Sequence, residues 1–528
     1  MSIGVLYDYI IIGSGFGGSV SALRLMEKGY KVLIIERGKR FTPEDYPKTN
    51  WDLRKWMWMP KAGMRGLFKL TMFPHVSIIH GVGYGGGSLV YANTLPIPKT
   101  PFFESDSWSH LAHWEKELAP HYKEAHRMLG AVENPLMTHP DRVLKEIAQD
   151  MGREDHFHKT KVAVYFGQPG VTVKDPFFGG KGPSRTGCNS CGGCMLGCRY
   201  NSKNTLDKNY LWLAEQLGLD VETETNVSAV RPAPGGGYLV ETHDSMAMTT
   251  SNRRTFRAHN VIVSGGVMGS VDLLLRMKRD PHGLPKLSDK TGEFIRTNSE
   301  SLIGVVTGDR SRDLSKGIAI GTILHTDEHS HVEPVRYSAG SGFWRMLMAP
   351  HVSGKTAPAR MTNLLKAIAG KRRELVRALT VKDFAKQSAV LLYMRTLEGT
   401  LRFKLGQLGQ MTTEMSDGQP PQASIPEATE IAERFAKKVD GITMSLVNET
   451  LLGIPTTAHI LGGACMGDSA ETGVIDAQHQ VHGYPGLYVI DGAAVSANPG
   501  VNPSLTITAL AERAMTFIPA KKELAQAS

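Results

Sequence analysis

The chain has 528 residues, 41% hydrophobic and 21% charged, with 56 glycines. That composition is globular α/β, long enough for two or three domains, and excludes disordered and fibrous classes. The net charge is +9, yet no aromatic-interleaved basic groove accompanies it, so nucleic acid is excluded as a partner.

The N-terminal stretch YDYIIIGSGFGGSVSALRLMEKGYKVLIIERG has no cationic segment before its apolar run, so it reads as a first strand and not a signal peptide. Residues 8–12 form the strand, and Gly13, Gly15 and Gly18 follow in G-x-G-x-x-G spacing. An amphipathic helix then runs through Lys28, and the strand KVLIIE ends at Glu36. In such a unit Gly13 makes the tight turn, Gly15 admits a pyrophosphate and Gly18 lets helix and strand touch. The helix N-terminus holds the anion, and Glu36 accepts ribose hydroxyls, which disfavours the 2′-phosphate of NADP. FAD and NAD both stay open at this point.

Residues 51–73 hold three of the seven tryptophans and four methionines among basic residues. Exposed, they make an apolar lid; buried, they are core. Residues 80–94, HGVGYGGGSLVYANT, carry five glycines between Gly81 and Gly87. Backbone this bare at Gly83, Gly86 and Gly87 can lie against a ring system or phosphate. Two glycine-rich approaches suit one large, buried dinucleotide.

Four of the five cysteines follow as Cys188, Cys191, Cys194 and Cys198, the C-x2-C-x2-C-x3-C spacing of a bacterial ferredoxin run. The short spacing disfavours zinc, and the crowding disfavours a secreted disulfide framework. An iron–sulfur cluster fits best, of the three-iron kind or of the four-iron kind with an unusual fourth ligand. Arg199 stands where ferredoxins have proline. A compact knot starting the next helix is the competing reading. Absence of a long uncharged apolar run, with this cysteine usage, gives a cytoplasmic expectation.

Further strands are expected in LDVETETNVSAVRP, which contains Val227, and in FRAHNVIVSGGVMGSVDLLLRM, which returns the chain to the nucleotide fold. SLIGVVTG and SAVLLYMRTL read as strands of a mostly antiparallel floor. Between them, residues 360–386 hold eight Lys or Arg against Glu374 and Asp383, with apolar residues at helical spacing. A basic amphipathic helix of this kind suits an anionic membrane surface; a solvated surface helix is the plainer reading. Near the end come AHILGGACMG and GYPGLYVIDGAAVSANPGVNPSLTITALAERAM, the latter with a turn at Asp491 and Gly492.

With the N-terminal unit, GVGYGGGSLV, HILGG, LYVIDG and GVNPSLTITALAER together, the chain resembles the glucose–methanol–choline (GMC) oxidoreductases, and within them the bacterial cholesterol-oxidase branch. The resemblance implies bound FAD and hydride transfer from a CH–OH group to the flavin. It implies His459 facing flavin and substrate hydroxyl, with Asn502 as partner. Glu333 is offered for the branch's proton-abstracting, isomerising glutamate; an acid paired with Arg336 is the bland alternative. Ser88, Asn93, Val227, Asp491 and Gly492 join the glycines as cofactor-binding candidates. Where the branch continues with Val-Asn, this chain has Val90-Tyr91-Ala92-Asn93, which alters the flavin's surroundings.

The expected architecture is a Rossmann-type FAD domain (1–94, 188–295 and 456–528) interleaved with an α+β substrate domain (95–187 and 296–455). The expected substrate is a 3β-hydroxysterol or another bulky, apolar alcohol, with oxygen, a quinone or a redox protein as acceptor. The alternatives are a flavoprotein electron-transfer subunit using the cluster, and a dehydrogenase of sugars or polyols.

Overall fold

The computed structural model describes residues 5–247, 251–354, 356–416 and 419–522. The outer ends of the expected FAD segments, residues 1–4 and 523–528, lie outside the described residues.

The strand Leu6–Ile12 is apolar on both faces and pairs in parallel with Val32–Ile35 on one side and Arg254–Val263 on the other. Continuous apolar strands belong inside a sheet covered on both sides. Asp220–Glu222 extends one edge, and Leu487–Val489 pairs in parallel with Val261–Val263. The N-terminal half of Arg254–Val263 instead carries an antiparallel hairpin of Thr225–Pro232 and Tyr238–Asp244. The register decides function here. Ile12 lies level with Ile35 and Val263, and Val263 with Val489. The four chain segments that follow therefore emerge along one rim, at the carboxyl ends of the strands, where open α/β sheets bind ligands.

The second sheet is wholly antiparallel, in the order Met348–Pro350, Gly441–Leu446, Ser301–Thr307, Ser388–Arg395, Ser330–Val335, Thr322–His325 and Phe157–Lys159. Alternation along its strands separates two faces. Ile303, Val305, Leu391 and Tyr393 pack under the helix Pro426–Lys438. Leu302, Gly304, Val306, Val390 and Leu392 face the first sheet instead, across a cavity.

The helix Trp114–Met128 docks on the C-terminal helix Ser504–Thr516, through Tyr122 Oη with Thr506 Oγ1 at 3.0 Å and Arg513 Nε donating to Glu117 at 2.7 Å. The same C-terminal helix is tied to Phe16–Glu27 by Arg24, which donates from Nε and Nη2 to Glu512, each at 2.8 Å.

The single basic helix expected over 360–386 is two helices, Ala357–Gly370 and Arg372–Leu379. Gly370 ends the first, as a residue with no side chain and high backbone entropy does readily. In the 51–73 stretch Trp56, Trp58, Leu67 and Phe68 are buried in core, while Trp51, Met59 and Met72 are exposed. Only five of its 23 residues are buried, so the stretch is anchored by a few core side chains and otherwise lies at the surface.

Candidate active site

A cavity of about 410 Å³ lies between the two sheets. Its first arm is the rim of the parallel sheet, and three close backbone contacts build it. A Cβ on Gly13, at φ +100°, would meet Ser264 O at 2.3 Å. One on Gly17 would meet Ile490 O at 1.7 Å, and one on Gly86 would meet Gly15 Cα at 2.6 Å. The loops after four strands thus touch backbone to backbone, which only glycine allows. Gly15 instead faces open space, with nothing within 4 Å of its Cβ position, as do Gly266 and Gly269.

Glu36 closes this arm. Its Oε2 accepts from Ser14 N at 3.1 Å and Ser14 Oγ at 2.7 Å, and its Oε1 accepts from Gly38 N at 2.8 Å. The carboxylate is thereby fixed, with a lone pair left over on Oε1. At the other end of the rim Asp491 accepts from Ser270 Oγ at 2.5 Å and Ala493 N at 2.8 Å. Burial pushes its carboxyl up to about 6. Gly87, Val227 and Gly492 also line the cavity.

Gly18, Gly83, Ser88 and Asn93 do not line it; they shape its walls. A Cβ on Gly18 would meet Gly13 O at 2.1 Å, and Gly83 backs onto the backbone of Gly38. Ser88 Oγ donates to Gly85 O at 2.7 Å and accepts from Leu206 N at 3.0 Å. Asn93, at φ +71°, is fully buried with neither side-chain amide atom partnered. Its neighbour Tyr91 occupies the cavity wall.

His459 and Asn502 both line the cavity. Asn502 is buried and its Oδ1 has no partner. His459 is held by Glu300, a fully buried residue that carries no motif in the sequence. His459 Nδ1 donates to Glu300 Oε2 at 2.6 Å, and Glu300 Oε1 accepts from Ala458 N at 2.5 Å. An ionised carboxylate only accepts, so Nδ1 carries the proton and Nε2 stays a free acceptor. Burial opposes protonation of the ring, but the Glu300 charge and hydrogen bond outweigh it and raise the His459 pKa. Behind this pair sits Glu449, which accepts from Thr456 N at 3.1 Å. Burial pushes its carboxyl up to about 8. Two buried acids thus clamp the segment 456–459.

Glu333 is neither a loop acid nor a partner of Arg336. It lies in the strand Ser330–Val335, fully buried, 3.4 Å from His331 Nε2, and outside the cavity lining. Arg336 pairs with Asp141 at 2.8 Å. Both its carboxylate oxygens are buried without a hydrogen-bond partner, and its charge adds to the rise at His459.

The last arm of the cavity is apolar. Val306, Val390, Leu392, Trp344, Met348 and Phe384 line it. An imidazole backed by a buried carboxylate, and an unpartnered amide, in a cavity with an apolar arm suit proton removal from a hydroxyl group on a bulky carbon skeleton.

The dinucleotide rim, the antiparallel floor and the His459 site define a flavin-dependent alcohol oxidoreductase. The family model for GMC oxidoreductases matches residues 404–511, and one for NAD(P)-binding Rossmann-like domains matches residues 11–52. The chain is 45% identical to a cholesterol oxidase of Mycobacterium tuberculosis over 98% of this chain and 92% of that protein. It is 42% identical to a cholesterol oxidase of Acinetobacter baumannii over 98% and 95%. The solved structure of pyridoxine 4-oxidase from Mesorbium loti superposes with a TM-score of 0.60 at 13% identity, covering 97% of this chain and 99% of that one, which shows a shared fold. The chain belongs to the GMC oxidoreductase family. It is an FAD-dependent oxidoreductase acting on CH–OH donors.

Proposed function

We propose that this chain oxidises a 3β-hydroxysterol, or a similarly bulky apolar alcohol, to its carbonyl. The observation that carries the reading is the His459–Glu300 pair at the foot of an apolar slot. Two relatives at 42% and 45% identity bear the name cholesterol oxidase, which supports a sterol.

The residues fit FAD. The glycine rim presents bare backbone to a pyrophosphate, Glu36 Oε1 offers a lone pair to ribose, and Asn502, with its Oδ1 unpartnered, lines the cavity. FAD, when bound, supplies the hydride acceptor. His459 Nε2 accepts the substrate hydroxyl proton as hydride leaves the carbon. Glu300 fixes the tautomer and balances the imidazolium that forms. Asn502 orients the substrate oxygen, and the apolar walls exclude water. Val227, Gly87 and Gly492 belong to the cofactor set; Gly18, Gly83, Ser88 and Asn93 support it from behind. Glu333 acts through its field on His459 and not as the isomerising base.

Cys188, Cys191, Cys194 and Cys198 are free thiols that line a second, small cavity, and among the described residues no three His, Cys, Asp or Glu are placed to hold a metal ion, so nothing in the structure supports the expected iron–sulfur cluster; the electrons pass on to oxygen, a quinone or a redox protein. The interleaved division, 1–94, 188–295 and 456–528 against 95–187 and 296–455, belongs to the same reading, with Trp114–Met128 reassigned to the FAD-binding part.

No helix among the described residues is long and apolar enough to cross a membrane. A cytoplasmic enzyme resting on a membrane surface is the accompanying proposal. Met361, Leu365, Ile368, Val376 and Leu379 are exposed beside eight cationic residues of 360–386. Ala378 of the second basic helix packs with Phe384 and Val306, which line the apolar arm. Steady-state turnover tests the substrate: activity on cholesterol or a long-chain alcohol is expected. Activity on glucose with none on any sterol or fatty alcohol overturns it.

A further inference from the structure

Four buried polar atoms without a hydrogen-bond partner gather in one corner of the antiparallel sheet: Glu333 Oε1 and Oε2, His331 Nε2 and His325 Nδ1. Burying such an atom unpartnered costs free energy, so four together call for a function. Glu333 Oε1 lies 3.4 Å from His331 Nε2. The ring centres of His331 and His325 are 5.7 Å apart, and those of His325 and His158 are 5.2 Å apart and stacked.

Register puts all four side chains on the face that looks toward the flavin cavity. In the strand Ser330–Val335, Glu333 pairs with Leu392 and Val335 with Val390, and Leu392, Val335 and Val390 line the cavity. His331, two residues before Glu333, lies on the same side of the pleat. It pairs with His325 of the next strand. Ile323, two residues before His325, pairs with His158 of the edge strand Phe157–Lys159. The carboxylate and the three imidazoles thus form a diagonal row across three neighbouring strands. Exposure rises along it: Glu333 and His331 are buried, His325 is half-buried and His158 is exposed. Among the described residues no three His, Cys, Asp or Glu are placed to hold a metal ion, so the row is strung out as a path and not gathered into a metal centre.

Charge keeps the rings in a form that conducts. Burial, with His331, Lys99, His158 and His156 around it, pushes His325 down to about 2. Arg153 Nε donates to the His325 carbonyl at 3.0 Å, while Asp327 and Glu328 offset Lys99. A neutral imidazole has one N–H and one free lone pair, so it takes a proton at one nitrogen as it gives one up at the other. Ring spacings of this size place successive nitrogens within reach of one bridging water, which proton transfer tolerates. At the inner end, the Glu333 charge acts on His459. With a bulky apolar alcohol filling the slot, apolar walls offer the proton on His459 no aqueous exit.

We propose that Glu333, His331, His325 and His158 carry the hydroxyl proton from His459 across the sheet to solvent. The path rests on the reading of His459 as the group that takes that proton. The alcohol loses a hydride to the flavin, with both electrons of its C–H bond, and its hydroxyl proton to His459 Nε2. The O–H bonding pair becomes the second C–O bond of the carbonyl. The proton then passes through one water to Glu333, directly to His331, and out by His325 and His158. Each carrier ends as it began, and no electron moves along the row.

The test mixes the holoenzyme anaerobically with an alcohol that bleaches the flavin, in weakly buffered alkaline solution. Flavin absorbance and a pH-indicating dye are followed together. In wild type about one proton per flavin is expected in solution, in step with bleaching. In His331→Phe and His325→Phe the rings keep their packing but carry no proton. First-turnover bleaching within about twofold of wild type is expected, with proton release at least about tenfold behind it. Added imidazole is expected to restore release in His325→Ala, whose site is half-buried; no rescue counts against His325 as a carrier. Release that keeps pace with bleaching in both Phe variants overturns the path, as does a wild type that bleaches without releasing a proton. Bleaching and release slowed equally indicate a structural role alone and overturn it too. Should His331→Phe not fold, His325→Phe decides. No bleaching of wild type by any alcohol sinks the alcohol-oxidation reading and the path with it.

Discussion

Glu300 Oε2 lies 2.6 Å from His459 Nδ1, and this contact sets both the tautomer and the basicity of the imidazole. In Glu300→Gln the charge that raises the His459 pKa is gone. A protonated His459 cannot accept the substrate proton, so activity falls on the acid side. The acid limb of kcat/KM is expected to move to lower pH in Glu300→Gln, while the plateau falls about ten- to a hundredfold. A limb that stays in place would show that another group is the base.

The glycine rim predicts a structural cost. Gly86 sits at φ +53° with its Cβ position 2.6 Å from Gly15 Cα. Gly86→Ala adds strain of about 1–3 kcal/mol and pushes the phosphate-facing loop out of place. Lower FAD occupancy and a lower Tm are expected in the purified variant. Full occupancy at wild-type Tm counts against the packing described.

Glu449 predicts a stability slope. Its folded pKa of about 8 lies above the ordinary glutamate value of about 4.3. Between these the folded protein keeps a proton that the unfolded chain has lost, so stability falls as pH rises through that window, by at most about 1.4 kcal/mol per pH unit. Asp491, raised to about 6, acts in the same sense at lower pH. From pH 6.5 to 8, Tm of the wild type is expected to drop more than that of Glu449→Gln. Parallel curves contradict the assignment.

The basic helices predict membrane binding. Leu365 and Val376 are 60% and 54% exposed. The pair Leu365→Asp and Val376→Asp removes apolar contact and adds repulsion from an anionic surface. Several-fold weaker co-sedimentation with anionic vesicles is expected, with stability within about 0.5 kcal/mol because both sites are exposed. Equal binding by both proteins identifies this face as ordinary solvated surface.

The strand–glycine–helix unit was legible because its residues are consecutive and each glycine answers a local steric demand. The strands Ser301–Thr307 and Ser388–Arg395 were legible from their apolar runs. Glu300 was not. It sits among small polar residues in IRTNSESLIG, and only the fold brings it to a histidine 159 positions away. Gly18, Gly83, Ser88 and Asn93 sit in the right motifs, but motif membership does not tell a residue that faces a cavity from one that braces its wall. The break at Gly370 was missed because apolar spacing continues across it, while the backbone does not.

Anaerobic mixing of the holoenzyme with a panel of alcohols, followed by flavin absorbance, tests the hydride-transfer site most directly. Wild-type protein is predicted to bleach with a sterol or long-chain alcohol. His459→Ala is predicted to keep its FAD and bleach at least about a hundredfold more slowly. Equal bleaching rates in the two proteins would contradict the placement of the chemistry at His459.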